Sequence, residues 1–386
     1  MKKIIVFIIS MFIIINVYAL EINSKRAILI NLNDDTVLFE KNSEEKTSIA
    51  SLTKIMTAIT IIETSDLNDE ILIKYDMLKN LDGYVKVGLR SGMKITVEEL
   101  LYALMLPSAG DAAQSLAIYK SGSIDEFVNL MNYKAEEMGA LNTHFTNPVG
   151  IDDEDNYSTA KDLSIILKHA LKNETFKTIF ETDEYYLKSL NKKIYKTLKE
   201  RKIDTGSIKG SKTGYTSAAG RCLASTSTID GVDYLFVNLN ANPNTLDYVT
   251  DAINTYDYYS SNYGYKDIVN KGDILQTLKV KGSKEKEYQI LAPETISKYL
   301  TNEFKKEDIK IKYSGLDTIT RKIKKGDKLG TIEFIYNGDT LYTLDVNLEK
   351  DIKFYNYILY IGIILIFIII LMPKNKKKRK KKTIKK

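Results

Sequence analysis

Ile49-Ala50-Ser51-Leu52-Thr53-Lys54-Ile55-Met56-Thr57-Ala58 sets a hydroxyl and an amine three residues apart at the head of an apolar run. Residues i and i+3 share a helical face, so the Lys54 amine can reach the Ser51 hydroxyl. A serine hydroxyl is a weak nucleophile at neutral pH until a base takes its proton, and a lysine enclosed by apolar turns has a lowered pKa suited to that task. Ile55 to Ile62 is continuous enough for a buried helix. Its N-terminus would offer free N–H groups and the positive dipole end to developing negative charge. Taken alone, such a pair is far more often a surface serine and a surface lysine on an ordinary helix, so the rest of the chain decides.

Before this stretch, Arg26 to Lys41 reads as two strands around the turn Asn33-Asp34-Asp35. After it, Thr96-Val97-Glu98-Glu99 is a capping box opening a helix that runs until Pro107. Ser108-Ala109-Gly110-Asp111 is a tight break before a second helix through Leu116, and Phe127 to Met138 and Thr159 to Leu171 are further amphipathic helices. Beyond Lys212-Thr213-Gly214, Arg221 to Thr228 and Val232 to Leu239 are strands joined at Asp230-Gly231, followed by a helix over about 246–259. Strands at both ends and helices in the middle imply an α+β unit in which the two hairpins join one antiparallel sheet flanked by helices.

From Gly264 the text turns to Lys, Glu and short alternating stretches with a type I′ signal at Asn337-Gly338, which predicts a small all-β domain over 264–350. Phe354 to Met372 is apolar except for Asn356 and, as a helix, would be roughly 28 Å long, enough to cross a bilayer core. The basic tail over 373–386 would stay on the cytoplasmic side. Lys2, Lys3, the apolar run Ile4 to Ile15 and the small residue Ala19 read as a signal peptide over 1–19, or, uncleaved, as a short anchor. The expected location is the cell membrane, single-pass, with residues 20–263 outside.

That topology reassigns the charge. Without the tail cations and the two N-terminal lysines, 44 of the 56 Lys and Arg face 50 Asp and Glu, so the exported part is acidic and no nucleic-acid partner is expected. One cysteine, Cys222, excludes an intrachain disulfide, and two histidines, His144 and His169, leave little for a metal site. Neither a metal nor another cofactor is expected, and hydrolytic chemistry would run on serine and lysine.

Ser51-x-x-Lys54, Ser108-Ala109-Gly110 and Lys212-Thr213-Gly214 occur in order, a set known from penicillin-binding proteins and β-lactamases. With Asn147-Pro148-x-Gly150, Tyr157-Ser158-Thr159-Ala160-x-Asp162 and Tyr215-Thr216 before Ala218-Ala219-Gly220, residues 24 to 260 resemble the serine-type D-alanyl-D-alanine carboxypeptidases, low-molecular-mass penicillin-binding proteins. The resemblance implies the penicillin-binding, β-lactamase-like transpeptidase fold. It implies that Ser51 is acylated by a peptidoglycan stem peptide ending in D-Ala-D-Ala, with Lys54 as base and Ser108 as proton relay. Lys212, Thr213, Gly214, Tyr215 and Gly110 would line the substrate site, the N–H groups of Ser51 and Tyr215 would form the oxyanion hole, and β-lactam antibiotics would be covalent inhibitors.

The sequence departs from that pattern twice. Gly110 stands where an Asn amide usually binds substrate, and Ala241-Asn242-Pro243-Asn244-Thr245-Leu246-Asp247 lacks the usual carboxylate-binding Arg. Arg221, Thr213 and Thr216 are other donors, and the role stays unassigned among them. Restoring Asn at 110 is expected to raise acylation. A non-catalytic wall-binding relative and a β-lactamase are the alternative readings.

Overall fold

The computed structural model describes residues 20–355 and 357–372; the expected signal peptide over 1–19 and basic tail over 373–386 lie outside the described residues. The chain divides into two compact units, Met1–Ser261 and Asn262–Lys386.

In the first unit the early hairpin forms β1 (Arg26–Asn31) and β2 (Thr36–Lys41), and Asp35 takes the positive φ of +62° that the turn needs. The late strands are β3 (Gly210–Thr216), β4 (Gly220–Ile229) and β5 (Val232–Ala241). All five join one antiparallel sheet in the order β2-β1-β5-β4-β3, with Leu29 opposite Phe236 and Tyr215 opposite Arg221. Successive residues Ala27 to Ile30 and Leu235 to Val237 are buried, so both faces are covered. Burying a side chain such as Phe236 contributes about 1.5–3 kcal/mol. Because β3 ends the sheet, one of its edges is unpaired, and the motif residues lie there.

The helical layer centres on α1 (Thr53–Thr64), which is buried from Thr53 to Ile61 among α2 (Val97–Met105), α3 (Gly110–Ser121), α4 (Ile124–Glu137), α5 (Ala160–Leu171) and α6 (Glu174–Glu181). Helix ends follow local chemistry. Ser123 and Thr159 cap α4 and α5, and Gly122 ends α3 in the left-handed conformation. The capping box of α2 is only half formed. Thr96 accepts from the Glu99 N–H at 3.2 Å, but the Glu99 carboxylate turns to Ser189, accepting from its N–H at 3.0 Å and its hydroxyl at 2.5 Å. A tertiary donor pair outcompetes the single N–H of the local motif. A last helix, α7 (Asp247–Asn262), packs Tyr256 edge-on against Phe236.

The second unit holds short, mostly antiparallel strands around Ile268, Leu278, Ile332 and Phe334, with one parallel pairing of Lys279 and Val280 with Thr318 and Ile319. Its longest ladder pairs Lys328–Tyr336 with Asp339–Asn347 across Asn337-Gly338, both at positive φ as a type I′ turn demands. Phe354 bridges to Ser283, and the Tyr355 N–H donates to Gly282 O at 2.7 Å, so these residues belong to the β unit. The expected 354–372 span is thereby shortened to a helix over Tyr357–Leu371, 15 residues or about 22 Å. No described helix is long and apolar enough to cross a membrane.

Candidate active site

Ser51 lies in a 3-10 turn, Ala50–Leu52, that feeds directly into α1. One turn on, Lys54 is 1% exposed; its Nζ donates to Ser51 Oγ at 3.0 Å and to Val149 O at 2.6 Å. That carbonyl comes from the Asn147-Pro148-Val149-Gly150 loop. Asn147 Oδ1 holds the loop by accepting the N–H groups of Val149, Gly150 and Ile151, and Thr57 donates to Pro148 O at 2.7 Å. Gly150 has φ +86°, and a Cβ there would lie 1.9 Å from Ala50 O. Only glycine lets the loop approach the nucleophile turn this closely.

The second pair forms across the fold. Lys212 on β3 is 1% exposed and donates to Ser108 Oγ at 2.9 Å and to Thr213 O at 3.1 Å. A Cβ on Gly214 would meet Ile49 O at 3.0 Å and Ser51 N at 3.2 Å, so this glycine lets β3 lie directly against the nucleophile turn. Ser51, Lys54, Ser108, Lys212 and Gly214 are thus gathered around the middle of β3. Ala50 and Ser108 both hold positive φ, +47° and +67°, uncommon for residues with a Cβ and a cost of about 1–3 kcal/mol each. Backbone strain therefore sits beside both hydroxyls.

Both amines are electrostatically abnormal. Burial, with a smaller contribution from the nearby Lys212 charge, pushes the Lys54 pKa well below the ordinary lysine value. Burial alone brings Lys212 down to about 7. Their polar contacts are hydroxyl and carbonyl oxygens and include no carboxylate, so no opposite charge makes up for the lost hydration. Lys54 is therefore suited to accept a proton, and Lys212 changes charge near neutrality.

Of the remaining candidates, Tyr215 is half exposed and Thr213 half-buried on the same face of β3, opposite to the face of Lys212 and Gly214. Arg221, paired with Tyr215, shares that face; its guanidinium carbon lies 5.1 Å from the Tyr215 ring and 5.3 Å from the Tyr248 ring, while Nε donates to Pro243 O at 3.1 Å. The Thr216 hydroxyl donates to Asp152 at 2.6 Å and accepts from Ala219 N–H, closing the turn into β4. Thr159 and Asp162 serve architecture: Thr159 caps α5, and Asp162 accepts from Asn142 N–H and the Thr143 hydroxyl. Cys222 is fully buried, its thiol pushed up to about 12, and donates weakly to Ala219 O. His144 contacts Asp155 O and His169 contacts Glu63. Among the described residues there is no cluster suited to a metal.

Sequence reasoning missed a neighbour of Gly110. A Cβ at 110 would lie 2.9, 2.9 and 3.0 Å from Cβ, Cγ and Cδ1 of Tyr84, so the start of any side chain there collides with a ring from another loop. An Asn introduced at 110 by itself would have to displace the root of the Tyr84 side chain. No local pattern in 81–89 signals this contact. A separate cavity of about 300 Å³, lined by Leu32, Lys168, Lys209 and Tyr234 among others, contains none of the motif residues.

Residues 14–243 match the family model described as D-alanyl-D-alanine carboxypeptidase, and residues 263–353 match that of the penicillin-binding protein 5 C-terminal domain. The chain belongs to the D-alanyl-D-alanine carboxypeptidase family and is a serine-type carboxypeptidase. The D-alanyl-D-alanine carboxypeptidase DacF of Bacillus subtilis is 31% identical over 337 residues, 86% of each chain. A D-alanyl-D-alanine carboxypeptidase of a Streptomyces species is 37% identical over 225 residues, 52% of this chain and 75% of the relative. Penicillin-binding protein 5 of Haemophilus influenzae has the same fold, with a TM-score of 0.66 at 22% identity over 86% of this chain and 98% of that one.

Proposed function

We propose that the chain removes the terminal D-alanine from peptidoglycan stem peptides through an acyl-enzyme on Ser51. The supporting observation is the buried Lys54 amine, 3.0 Å from Ser51 Oγ with no carboxylate to keep it charged. In this reading neutral Lys54 takes the Ser51 proton as Oγ adds to the carbonyl of the penultimate D-alanine. The backbone N–H groups of Ser51 and Tyr215 hold the resulting oxyanion. Ser108 passes a proton to the departing D-alanine nitrogen, while Lys212 orients the Ser108 hydroxyl. Water then attacks the ester and frees the shortened peptide. A β-lactam stops at the ester, because its ring-opened leaving group stays attached and blocks that water.

The substrate lies along the unpaired edge of β3, where an extended peptide can add as a strand. Its terminal carboxylate needs a cation that survives neutral pH, and Lys54 and Lys212 are both depressed. A guanidinium offers a planar fork that matches a carboxylate, and Arg221 shares a face with Thr213 and Tyr215, its guanidinium carbon 5.1 Å from the Tyr215 ring, so we assign it that carboxylate. Residues 1–19 act as an export segment. The helix Tyr357–Leu371, with Phe367 63% and Ile370 72% exposed, and the basic tail form a membrane anchor that keeps the active site outside the cell.

A fluorescent penicillin and a diacyl-Lys-D-Ala-D-Ala peptide test the chemistry. Covalent label and released D-alanine are expected from the native chain and not from Ser51→Ala. Equal signals from both would sink the reading.

A further inference from the structure

The loop that carries Tyr84 is tied to the start of α3, directly after Ser108-Ala109. Gly110 N–H donates to Val85 O at 2.8 Å. The Asp111 carboxylate, 2% exposed, accepts the N–H groups of Val87, Gly88 and Leu89 at 3.1–3.2 Å. Upstream, Gln114 Nε2 donates to Lys79 O at 2.8 Å and to Met77 O at 3.2 Å. The loop is thus clamped to α3 on both sides of Tyr84, at two of the residues that continue the second motif. Its ring lies over the backbone of Gly110, partly buried and partly open to solvent. Its hydroxyl has no hydrogen-bond partner among the described residues, and burial raises its pKa, so it remains a neutral donor at physiological pH.

We propose that Tyr84 is the substrate-positioning residue of the second motif: its ring forms the wall beside Ser108 that a side chain at 110 would form, and its hydroxyl donates to a backbone carbonyl of the stem peptide. The second motif is then made from two chain segments, and Gly110 is the residue that makes room for the ring. Glycine and tyrosine are matched, since any Cβ at 110 must displace the root of the Tyr84 side chain, which cannot swing away as a flexible tip would. The inference rests on the acyl-transfer reading of the same site.

The test uses the purified full chain, with acylation by fluorescent penicillin, kcat and KM for the D-Ala-D-Ala peptide, and thermal melting. Tyr84→Phe keeps the ring and removes the hydroxyl. It is expected to lower kcat/KM about five- to tenfold, the range of one lost hydrogen bond, with an unchanged melting temperature. Gly110→Asn alone should lower acylation further, and Tyr84→Ala with Gly110→Asn should exceed Tyr84→Ala alone. A Tyr84→Phe chain within twofold of the native kcat/KM removes the hydroxyl from the mechanism and overturns the proposal. So does a Gly110→Asn chain as active as the native one, because the ring is then not an obstacle. Native chain that labels no better than Ser51→Ala sinks the acyl-transfer reading itself, whereas native labelling with an indifferent Tyr84→Phe sinks only the role of Tyr84.

Discussion

Both units pair exposed lysines with carboxylates, but among the described residues only the first also buries lysine amines. The first buries Lys54 and Lys212 against hydroxyl and carbonyl oxygens, without a carboxylate. The second keeps Lys306, Lys312 and Lys328 exposed and pairs them with Asp273, Glu333 and Asp345 at 2.7–2.8 Å. Among the described residues, Ser283 is the one buried polar side chain of the second unit, whereas the first also buries Glu99, Asp111, Asp162 and Asp251. Those buried carboxylates each accept protein N–H groups, which replace the lost water. The two active-site amines are left under-compensated. Such a group lowers stability unless it gives up its proton, and giving up its proton is what a general base needs. The second unit has no comparable tension, so its charges serve solubility and contribute little to folding.

The largest effect should come from emptying the tense site. Lys54→Met is expected to lower penicillin acylation by about 10³-fold, since it deletes the base, while the melting temperature holds or rises because a buried amine is gone. Retained acylation within tenfold would break the contrast between the units. Lys212→Met should lower acylation by about 10²-fold through the loss of one preorganised group, and it exposes the stability side of the comparison. The folded pKa of about 7 lies below the ordinary lysine value, so between those two values the unfolded chain holds the extra proton. The cost of burying this amine is therefore complete below about pH 7 and fades as pH rises toward the ordinary lysine pKa. Chemical denaturation at pH 6 and pH 9 should show Lys212→Met gaining more over the native chain at the lower pH, and the reverse order would contradict the assignment.

A smaller effect is expected at the rim. Arg221→Gln should raise KM about tenfold for the free-carboxylate peptide and hardly at all for the same peptide amidated at its C-terminus, the size of a lost charge-assisted hydrogen bond. Equal losses for both peptides would mean that the residue only supports the fold. The smallest effect belongs to the second unit. Lys312→Ala removes an exposed pair with Glu333 and should change stability by less than about 1 kcal/mol in a denaturation curve, with acylation unchanged.

Much of this was legible where the physics is local. Both hairpins, the helix expected over Thr159 to Leu171 and the turn at Asn337-Gly338 follow from rules spanning a few residues, and the structure forms each of them. The Ser51-Lys54 pair was readable because three residues of helix place both side chains on one face. The helix Glu174–Glu181 and the hairpin Glu184–Leu187 with Lys192–Tyr195 went unread, being short elements stabilised by what covers them, such as Tyr185 stacked on Tyr102 at 3.7 Å. The half-made capping box at Thr96 failed for the same reason, since Glu99 answered to Ser189 from ninety residues away.

By itself the sequence determined the chemistry on offer: a serine with a lysine one turn away, a second serine at a sharp break, and a lysine followed by small residues on a strand. Only the tertiary structure decided how that chemistry is tuned. It placed Lys212 on Ser108 across 104 residues, set Val149 O on Lys54 across 95, and laid Tyr84 over Gly110. The physical reason is that pKa and reach depend on the water and atoms removed from around a group, and those are set by segments far away in the chain.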